Sequence, residues 1–224
     1  MPAFKIFLHA FCSADDLAVA VCRYADSKEK PEYLQQSIES ILHQTVPTDD
    51  FVLVCDGPLT PELDSVIAKY STLHVVRLKE NGGLGGALNE GMKHCQHDLI
   101  ARMDSDDISR SDRCERELKV FAEHSEVDIV SGTIEEFITS PDEVYSRRVL
   151  PEKSAEIVQF AKKRKPFPAL AVVCPSAIPS VLSFMNNIFR GDMLIQDTSA
   201  GSSEFLCRNI LCLSLIFNET ALVY

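Results

Sequence analysis

"DLIARMDSDDIS", residues 98–109, contains the end of an apolar run of strand length, and an acidic cluster follows this run at once. The cluster consists of Asp104, Asp106 and Asp107. Adjacent carboxylates repel one another, and the repulsion grows in a cleft of low dielectric constant. Water, an arginine or lysine side chain, or a metal ion must therefore offset the repulsion, and this stretch alone leaves all three open.

Strands and helices alternate on both sides of this stretch. The sequence predicts strands at 16–24, 50–57, 73–78, 98–103 and 127–138, and helices at 30–47, 60–70, 81–95 and 109–125. Such alternation predicts an α/β fold with a mostly parallel central sheet flanked by helices. Ligands bind beyond the carboxyl ends of such strands, so we expect Asp56 and the acidic cluster to lie at one rim of the sheet.

The composition favours one α/β domain with a packed core. The chain has 224 residues and a formal net charge of −11, which argues against unaided binding of nucleic acid. No apolar run approaches the ~20 residues that a membrane-spanning helix needs. The eight cysteines form no C-x-x-C pair, so we expect reduced core residues rather than disulfides or a zinc site.

A glycine-rich segment, "NGGLGGALNEGM" (81–92), runs from the third predicted strand into a helix. The dinucleotide pattern G-x-G-x-x-G fails, because Leu88 takes the third glycine position when the pattern starts at Gly83. The P-loop pattern fails as well, because Met92 follows Gly91 where a lysine is required. A tight turn with close packing of helix on sheet is favoured over direct contact with phosphate, and both interpretations stay open.

Each group of acids has two interpretations. Asp56, in the turn "DGP", could hydrogen-bond its own backbone or accept a hydrogen bond from the N–H of a nucleobase. The acidic cluster could be a solvated turn at a helix start, where aspartate is common. An Asp-x-Asp pair, however, brings two carboxylates within reach of one hard cation, which would recruit phosphate oxygens as further ligands. Because the cluster follows a buried strand, we predict that it binds a metal or a nucleotide.

Together these pieces resemble the family 2 glycosyltransferases, which have the GT-A (nucleotide-diphospho-sugar transferase) fold and build bacterial capsule, exopolysaccharide or lipopolysaccharide. The likeness covers about residues 17–167. It rests on the order of a strand ending "CRY", then "PEYLQQSIESILHQT", "FVLVCDGPLTPEL", "NGGLGGALNEGM" and "ARMDSDDIS". The resemblance implies a nucleotide-sugar-binding domain at residues 1–167. Residues 168–224 are then an atypical apolar tail that leaves the fold truncated or irregular at its C-terminus.

The resemblance implies a role for each matched position. Tyr24 and Asp56 would hold the uracil end of a UDP-sugar. Asp104 and Asp106 match the D-x-D carboxylates that serve the ribose and the metal-bound diphosphate. Asp106 and the adjoining Asp107 would hold Mg²⁺ or Mn²⁺. The implied reaction moves the sugar to a glycan or lipid-linked acceptor with inversion at the anomeric carbon.

The chain departs from the family in two places. Cys55 stands where many members have another aspartate, and the likeness ends after Phe167. No acid of the tail is paired with another; these acids are Asp192, Asp197, Glu204 and Glu219. The general base is therefore not identifiable, and we hypothesise that a reading-frame change or a degenerate gene produced the tail. The alternative to an active transferase is a catalytically impaired remnant that binds a nucleotide-sugar.

The expected partners are the nucleotide-sugar donor and a glycan or lipid-linked acceptor, without nucleic acid. We expect a cytoplasmic location. The basic run "KKRK" at 162–165 is interpreted first as a solvated helix end. If the run instead contacts anionic lipid, the protein would lie at the inner face of the plasma membrane.

Overall fold

The structure is a computed structural model that describes residues 17–24, 30–97, 99–124, 127, 129–138, 140–149, 151, 156, 171–173, 210–212 and 220–223. The helices are α1 (Pro31–Leu42), α2 (Pro61–Ile67), α3 (Gly83–Met92) and α4 (Arg113–Glu123). The strands before residue 110 are β1 (Leu17–Tyr24), β2 (Asp50–Asp56), β3 (His74–Arg77), β4 (Leu99–Asp104) and β5 (Asp107–Ile108). The later strands are β6 (Ile129–Ser131), β7 (Thr133–Phe137), β8 (Val144–Arg148), β9 (Ala171–Val173), β10 (Ile210–Cys212) and β11 (Thr220–Val223). The predicted α/β class is confirmed.

The larger of two sheets has the strand order β10-β6-β9-β4-β1-β2-β3. Within it, β1 pairs in parallel with both β2 and β4, and β2 pairs in parallel with β3. β9 enters antiparallel between β4 and β6. The smaller sheet has the order β5-β11-β7-β8. The parallel group β4-β1-β2-β3 therefore brings the carboxyl ends of its strands to one edge of the larger sheet.

Local sequence signals set the helix limits. Pro31 and Pro61 open α1 and α2, where the missing amide hydrogen is not needed. The Oγ1 of Thr60 accepts a hydrogen bond from the N–H of Leu63 at 3.4 Å, which caps α2. The predicted starts of α1 and α2 are confirmed, whereas α4 begins at Arg113, four residues later than predicted.

The two faces of the larger sheet are covered by different helices. One face carries the main core, in which Leu53 and Met103 pack with Ile38 of α1 and with residues of α2 and α4. On the other face, Val54 packs with Ala87 of α3 in a second cluster. Successive side chains alternate along a strand, so Arg102 and Asp104 lie on the face opposite Met103.

α3 lies close against β2, and a glycine makes this approach feasible. A Cβ atom at Gly91 would lie 2.7 Å from Cγ2 of Val54, closer than real Cβ contacts come. The packing interpretation of the glycine-rich segment is therefore confirmed at Gly91, whereas contact of the segment with phosphate stays untested.

The segment 127–138 differs from its prediction, because it forms two strands rather than one. β6 pairs with β9 and β10 in the larger sheet, and β7 pairs with β8 and β11 in the smaller sheet. The chain crosses between the sheets at Gly132. Apolar residues recur on both sides of this crossing, so periodicity alone could not reveal it.

The boundary between a domain at 1–167 and a tail at 168–224 remains a prediction. β9, β10 and β11 follow that boundary and pair within the two sheets. The rest of the tail and the basic run at 162–165 lie outside the described residues. In the part of the chain that the structure describes, Cys55, Cys95 and Cys114 are free thiols. No described helix is both long and apolar enough to cross a membrane.

Candidate functional site

The carboxyl ends of β1, β2 and β4 form one rim of the larger sheet. Tyr24, the last residue of β1, is the register partner of Asp56, and Cys22 is the register partner of Asp104. Parallel pairing thus brings Asp56 and the acidic cluster to the same rim, as the sequence predicted. In open α/β sheets this is the edge at which ligands bind.

The carboxylate of Asp56 is fully buried at this rim. Its Oδ1 accepts a hydrogen bond from the N–H of Gly82 at 2.7 Å. Its Oδ2 is buried and has no hydrogen-bond partner among the described residues. A buried acceptor without a donor costs on the order of 1–3 kcal/mol, and more when it is charged. Asp56 therefore does not simply cap its own turn, and one of its oxygens lacks a hydrogen-bond donor among the described residues.

Two glycine turns hold this carboxylate in place. Gly57 has φ 95° and Gly83 has φ 77°, a left-handed conformation that L side chains rarely adopt. A Cβ atom at Gly57 would lie 3.2 Å from the backbone nitrogen of Asn81, so the two turns are in close contact. The Oδ1 of Asn81 accepts from the N–H of Gly83 at 3.0 Å. Backbone geometry therefore explains these glycines without a phosphate ligand.

A buried arginine supplies part of the compensation that the acidic cluster requires. The Nη2 of Arg102 donates to Oδ1 of Asp104 at 2.5 Å, and the two side chains are 7% and 32% exposed. Residues two apart on a strand share a face, so β4 itself brings this pair together. Arg102 was not among the residues predicted from the sequence, although a charged residue inside the apolar run "LIARMD" was a signal for it.

Asp107 is the most deeply buried member of the cluster, at 2% exposed. Burial, followed by the charges of Asp104 and Asp106, raises the pKa of Asp107 to about 8, against the opposing effect of Arg102 and Arg113. Its Oδ2 has no hydrogen-bond partner in the described part of the chain. Without a bound cation, burial therefore favours the protonated form of Asp107, so the cluster carries less negative charge than its sequence suggests.

A second ion pair, between Arg113 and Glu117 of α4, is buried next to β4. The Nε of Arg113 lies 3.1 Å from Oε2 of Glu117, and the side chains are 8% and 4% exposed. The Nη2 of Arg113 also donates to the backbone carbonyl of Arg102 at 3.2 Å. The first turn of α4 is thereby tied to β4 next to the acidic cluster. This pair was not predicted from the sequence either, although opposite charges at i, i+4 on a helix are a known signal of an ion pair.

The donor set of the cluster limits how a metal could bind. Carboxylate oxygens are the ligands that Mg²⁺ and Mn²⁺ prefer. No group of three His, Cys, Asp or Glu side chains among the described residues converges as a metal site. Asp106 is partly exposed, whereas Asp107 is buried. These residues fit a cation held by one or two carboxylates and completed by phosphate oxygens, rather than by an all-protein cage.

The roles expected for Tyr24, Asp56, Asp104, Asp106 and Asp107 stay predictions, although all five lie at or directly after the strand ends of one rim. For Tyr24 this placement concerns the backbone. The tail acids that were considered as a general base lie outside the described residues.

Comparison with known proteins gives a consistent set of matches. The sequence profile described as glycosyl transferase family 2 matches residues 21–181, a range that continues past Phe167. The amylovoran biosynthesis glycosyltransferase AmsE of Erwinia amylovora is 36% identical over 170 residues, which are 74% of this chain and 63% of AmsE. The UDP-Gal:alpha-D-GlcNAc-diphosphoundecaprenol beta-1,3-galactosyltransferase of Escherichia coli is 38% identical over 149 residues, which are 64% of this chain and 54% of that enzyme. The chain thus spans less than two thirds of the length of either relative.

Solved structures show the same architecture. Staphylococcus aureus TarS in complex with UDP-GlcNAc superposes with a TM-score of 0.60 at 16% identity, covering 93% of this chain and 58% of that chain. The mannosyltransferase PcManGT from Pyrobaculum calidifontis, in complex with GDP-Man and Mn²⁺, superposes with a TM-score of 0.52 at 16% identity, covering 74% of this chain and 46% of that chain. At these identities the likeness shows the fold alone, and it confirms the predicted GT-A architecture.

Proposed function

Because the chain belongs to glycosyl transferase family 2, we propose that it binds a nucleotide-sugar, specifically a UDP-sugar, at the rim formed by β1, β2 and β4. We infer further that the sugar is transferred with inversion to a glycan or lipid-linked acceptor during synthesis of a bacterial surface polysaccharide. The names of two relatives support this choice. The E. coli enzyme uses UDP-Gal and an acceptor on diphosphoundecaprenol, and AmsE acts in amylovoran biosynthesis.

The buried carboxylate of Asp56 is the observation that carries the proposal. Its Oδ1 is fixed by the N–H of Gly82, and its Oδ2 lacks a partner among the described residues. The ring N–H of uracil would supply the missing donor, and a hydrogen bond to a charged acceptor is strong. The end of β1 at Tyr24 lies beside Asp56 in the sheet, so we assign the backbone there to the border of the base.

The acidic cluster is assigned to the rest of the donor. We assign Asp104 to the ribose, with its orientation set by Arg102 at 2.5 Å. We assign Asp106 and Asp107 to a divalent cation. A bound Mg²⁺ or Mn²⁺ would neutralise the diphosphate and so ease its departure as the leaving group. This assignment places two protein carboxylates at the metal and leaves its other ligand positions to phosphate oxygens and water.

The proposed reaction is a single displacement. The acceptor hydroxyl oxygen forms a bond to the anomeric carbon, the bond from that carbon to the phosphate oxygen breaks, and the nucleoside diphosphate leaves with the electron pair. The hydroxyl proton passes to a general base, a role that we assign to no residue. The role of the described residues is to hold and orient the donor. Such positioning makes a large contribution to the rate of a displacement.

Calorimetric titration of UDP in the presence of Mn²⁺ tests the base site. We expect Asp56→Asn to weaken UDP binding about tenfold or more, because it removes a charged hydrogen-bond acceptor. Asp50→Asn is a matched control: Asp50 is 4% exposed and accepts from the N–H of Gln96 at 2.6 Å, but it lies at the other end of β2. Equal effects of the two substitutions, or none, would contradict the assignment of Asp56.

A second titration tests the cation. Mn²⁺ should strengthen UDP binding by the wild type relative to the same protein in EDTA, and Asp106→Ala should remove most of that increment. Asp142→Ala serves as the control, because Asp142 is an exposed turn residue far along the chain from the cluster. If Asp106→Ala keeps the full manganese increment, the metal assignment is wrong.

The second candidate function is nucleotide-sugar binding without turnover. The tail acids favour it, since none of Asp192, Asp197, Glu204 and Glu219 is paired in sequence with another acid. Release of UDP after addition of acceptors separates the two candidates. A protein that binds UDP-sugar with Mn²⁺ and releases UDP only when an acceptor is present is a transferase. Binding without release, across lipid-linked and glycan acceptors, indicates the remnant.

A further inference from the structure

A row of polar side chains interrupts the otherwise apolar buried side of α1. We call Ser37, Ser40 and Gln44 the polar row; they follow one another at helical spacing, with Gln44 just beyond the end of α1. Ser37 is fully buried and Gln44 is 7% exposed. Buried polar groups reduce stability unless they are hydrogen-bonded, so each member of this row needs a partner. Their partners lie in the loop that carries the acidic cluster and in α4.

Ser37 and Ser40 hold the two ends of the acidic loop, residues 104–109. The Oγ of Ser37 donates to the backbone carbonyl of Asp104 at 3.2 Å. The Oγ of Ser40 accepts from the N–H of Ser109 at 3.0 Å and donates to the carbonyl of Ser37 at 2.7 Å. Asp106 lies between these two anchor points. One helix therefore fixes both ends of the loop.

Gln44 joins three backbone segments at the far end of the loop. Its Nε2 donates to the carbonyl of Arg110 at 2.6 Å and to the carbonyl of Ser40 at 2.9 Å. Its Oε1 accepts from the N–H of Cys114 at 3.0 Å. Cys114 lies in the first turn of α4, where backbone N–H groups have no partner within the helix. The side chain of Gln44 thus caps α4 and closes the loop at the same time.

We propose that Gln44 is a positioning residue for the donor site, acting with Ser37 and Ser40 to hold the acidic loop closed. Asp107 lies between the two anchor points and is 2% exposed, and an unanchored loop would open to return its carboxyl group to water. Opening would move Asp106 away from the rim on which Asp56 lies. This inference rests on the proposed function, because it assumes that the donor binds across that rim.

The test compares Gln44→Met with a matched control, Gln35→Met. Gln35 lies on α1 itself and makes two side-chain hydrogen bonds, to Glu39 and Lys69 at 2.9 Å each, but none to the acidic loop. Amide hydrogen exchange of the ligand-free protein and calorimetric titration of UDP with Mn²⁺ are measured on both variants. Gln44→Met should speed exchange about tenfold at Cys114, because its N–H loses the Gln44 acceptor. Exchange at Ser109, whose N–H is accepted by Ser40, should rise similarly because the loop is no longer closed, with the amides of β2 as the reference. Gln44→Met should also weaken UDP binding about tenfold.

Each outcome decides a separate part of the inference. Gln35→Met should change neither quantity more than about twofold, and an equal effect of both variants would reduce Gln44 to an ordinary stabilising residue. Unchanged exchange at Ser109 and Cys114 would overturn the anchoring, whether or not UDP binds. Faster exchange with unchanged UDP affinity would overturn the positioning role. A wild type that binds no UDP would defeat the proposed function itself. If Gln44→Met does not fold, Ser40→Ala takes its place, with the effect expected at Ser109.

Discussion

Replacing Asp107 by asparagine should stabilise the metal-free protein at neutral pH. Asp107 is 2% exposed, and burial, followed by the charges of Asp104 and Asp106, raises its pKa from 3.8 to about 8. The unfolded chain loses this proton at about pH 4, whereas the folded protein keeps it up to about pH 8. Between these values the folded state binds more protons, so the stability that this group contributes falls as the pH rises.

The size of the effect follows from the width of that window. One proton of difference changes the free energy of unfolding by ~1.36 kcal/mol per pH unit. The wild type should therefore lose on the order of 2–3 kcal/mol through Asp107 between pH 5 and pH 7. Asparagine does not titrate, so the stability of Asp107→Asn minus that of the wild type should grow by the same amount over this range.

Urea unfolding in EDTA at pH 5, 6 and 7, followed by circular dichroism, measures this difference. The chain has no tryptophan, which makes circular dichroism the better probe. Asp142→Asn, at an exposed turn, controls for the loss of one carboxylate and should keep a constant difference from the wild type. A difference for Asp107→Asn that stays constant with pH, or that shrinks from pH 5 to pH 7, would refute the argument from burial.

Three further substitutions test the fold around the site. Gly91→Ala should destabilise the protein by about 1 kcal/mol in thermal unfolding, because the clash with Val54 outweighs the gain in helix propensity. In a Val54→Ala background the same substitution should stabilise the protein. A destabilising effect in that background would count against the clash. Thr60→Ala should cost about 1 kcal/mol by loss of the cap on α2, and a neutral result would show that the 3.4 Å bond contributes nothing. Arg102→Met should cost on the order of 1–3 kcal/mol in urea unfolding, because it removes the buried cationic partner of Asp104, whose side chain is 32% exposed. Arg102→Lys should cost less, and equal losses for the two variants would argue against a role for the guanidinium geometry.

Much of the fold follows from local sequence signals. Pro31, Pro61 and Thr60 set the starts of α1 and α2 because each has a distinct backbone or capping preference. The placement of Asp56 and Asp104 at one rim follows from parallel pairing alone, since both end a buried strand. These predictions depend on neighbours in sequence or on strand direction, and both are readable without coordinates.

The other features of the fold and of the site depend on contacts between segments that are distant in sequence. The switch of sheets at Gly132 is set by which strands pair with β6 and β7, and this pairing leaves no periodic trace. The deep burial of Asp107 arises from packing around β5, so its raised pKa could not be foreseen. Arg102 and Gln44 did leave signals, namely a charged residue inside an apolar strand and an amide on a buried helix face. Their partners, however, became clear only in three dimensions.

A crystal structure of the protein with UDP and Mn²⁺ would show whether the nucleotide binds at the rim formed by β1, β2 and β4. We predict that the uracil ring N–H lies within hydrogen-bonding distance, ~2.7–3.2 Å, of Oδ2 of Asp56, with the diphosphate and the metal on the side of Asp106. UDP bound away from the rim, or bound at the rim with Oδ2 of Asp56 still lacking a donor, would contradict it.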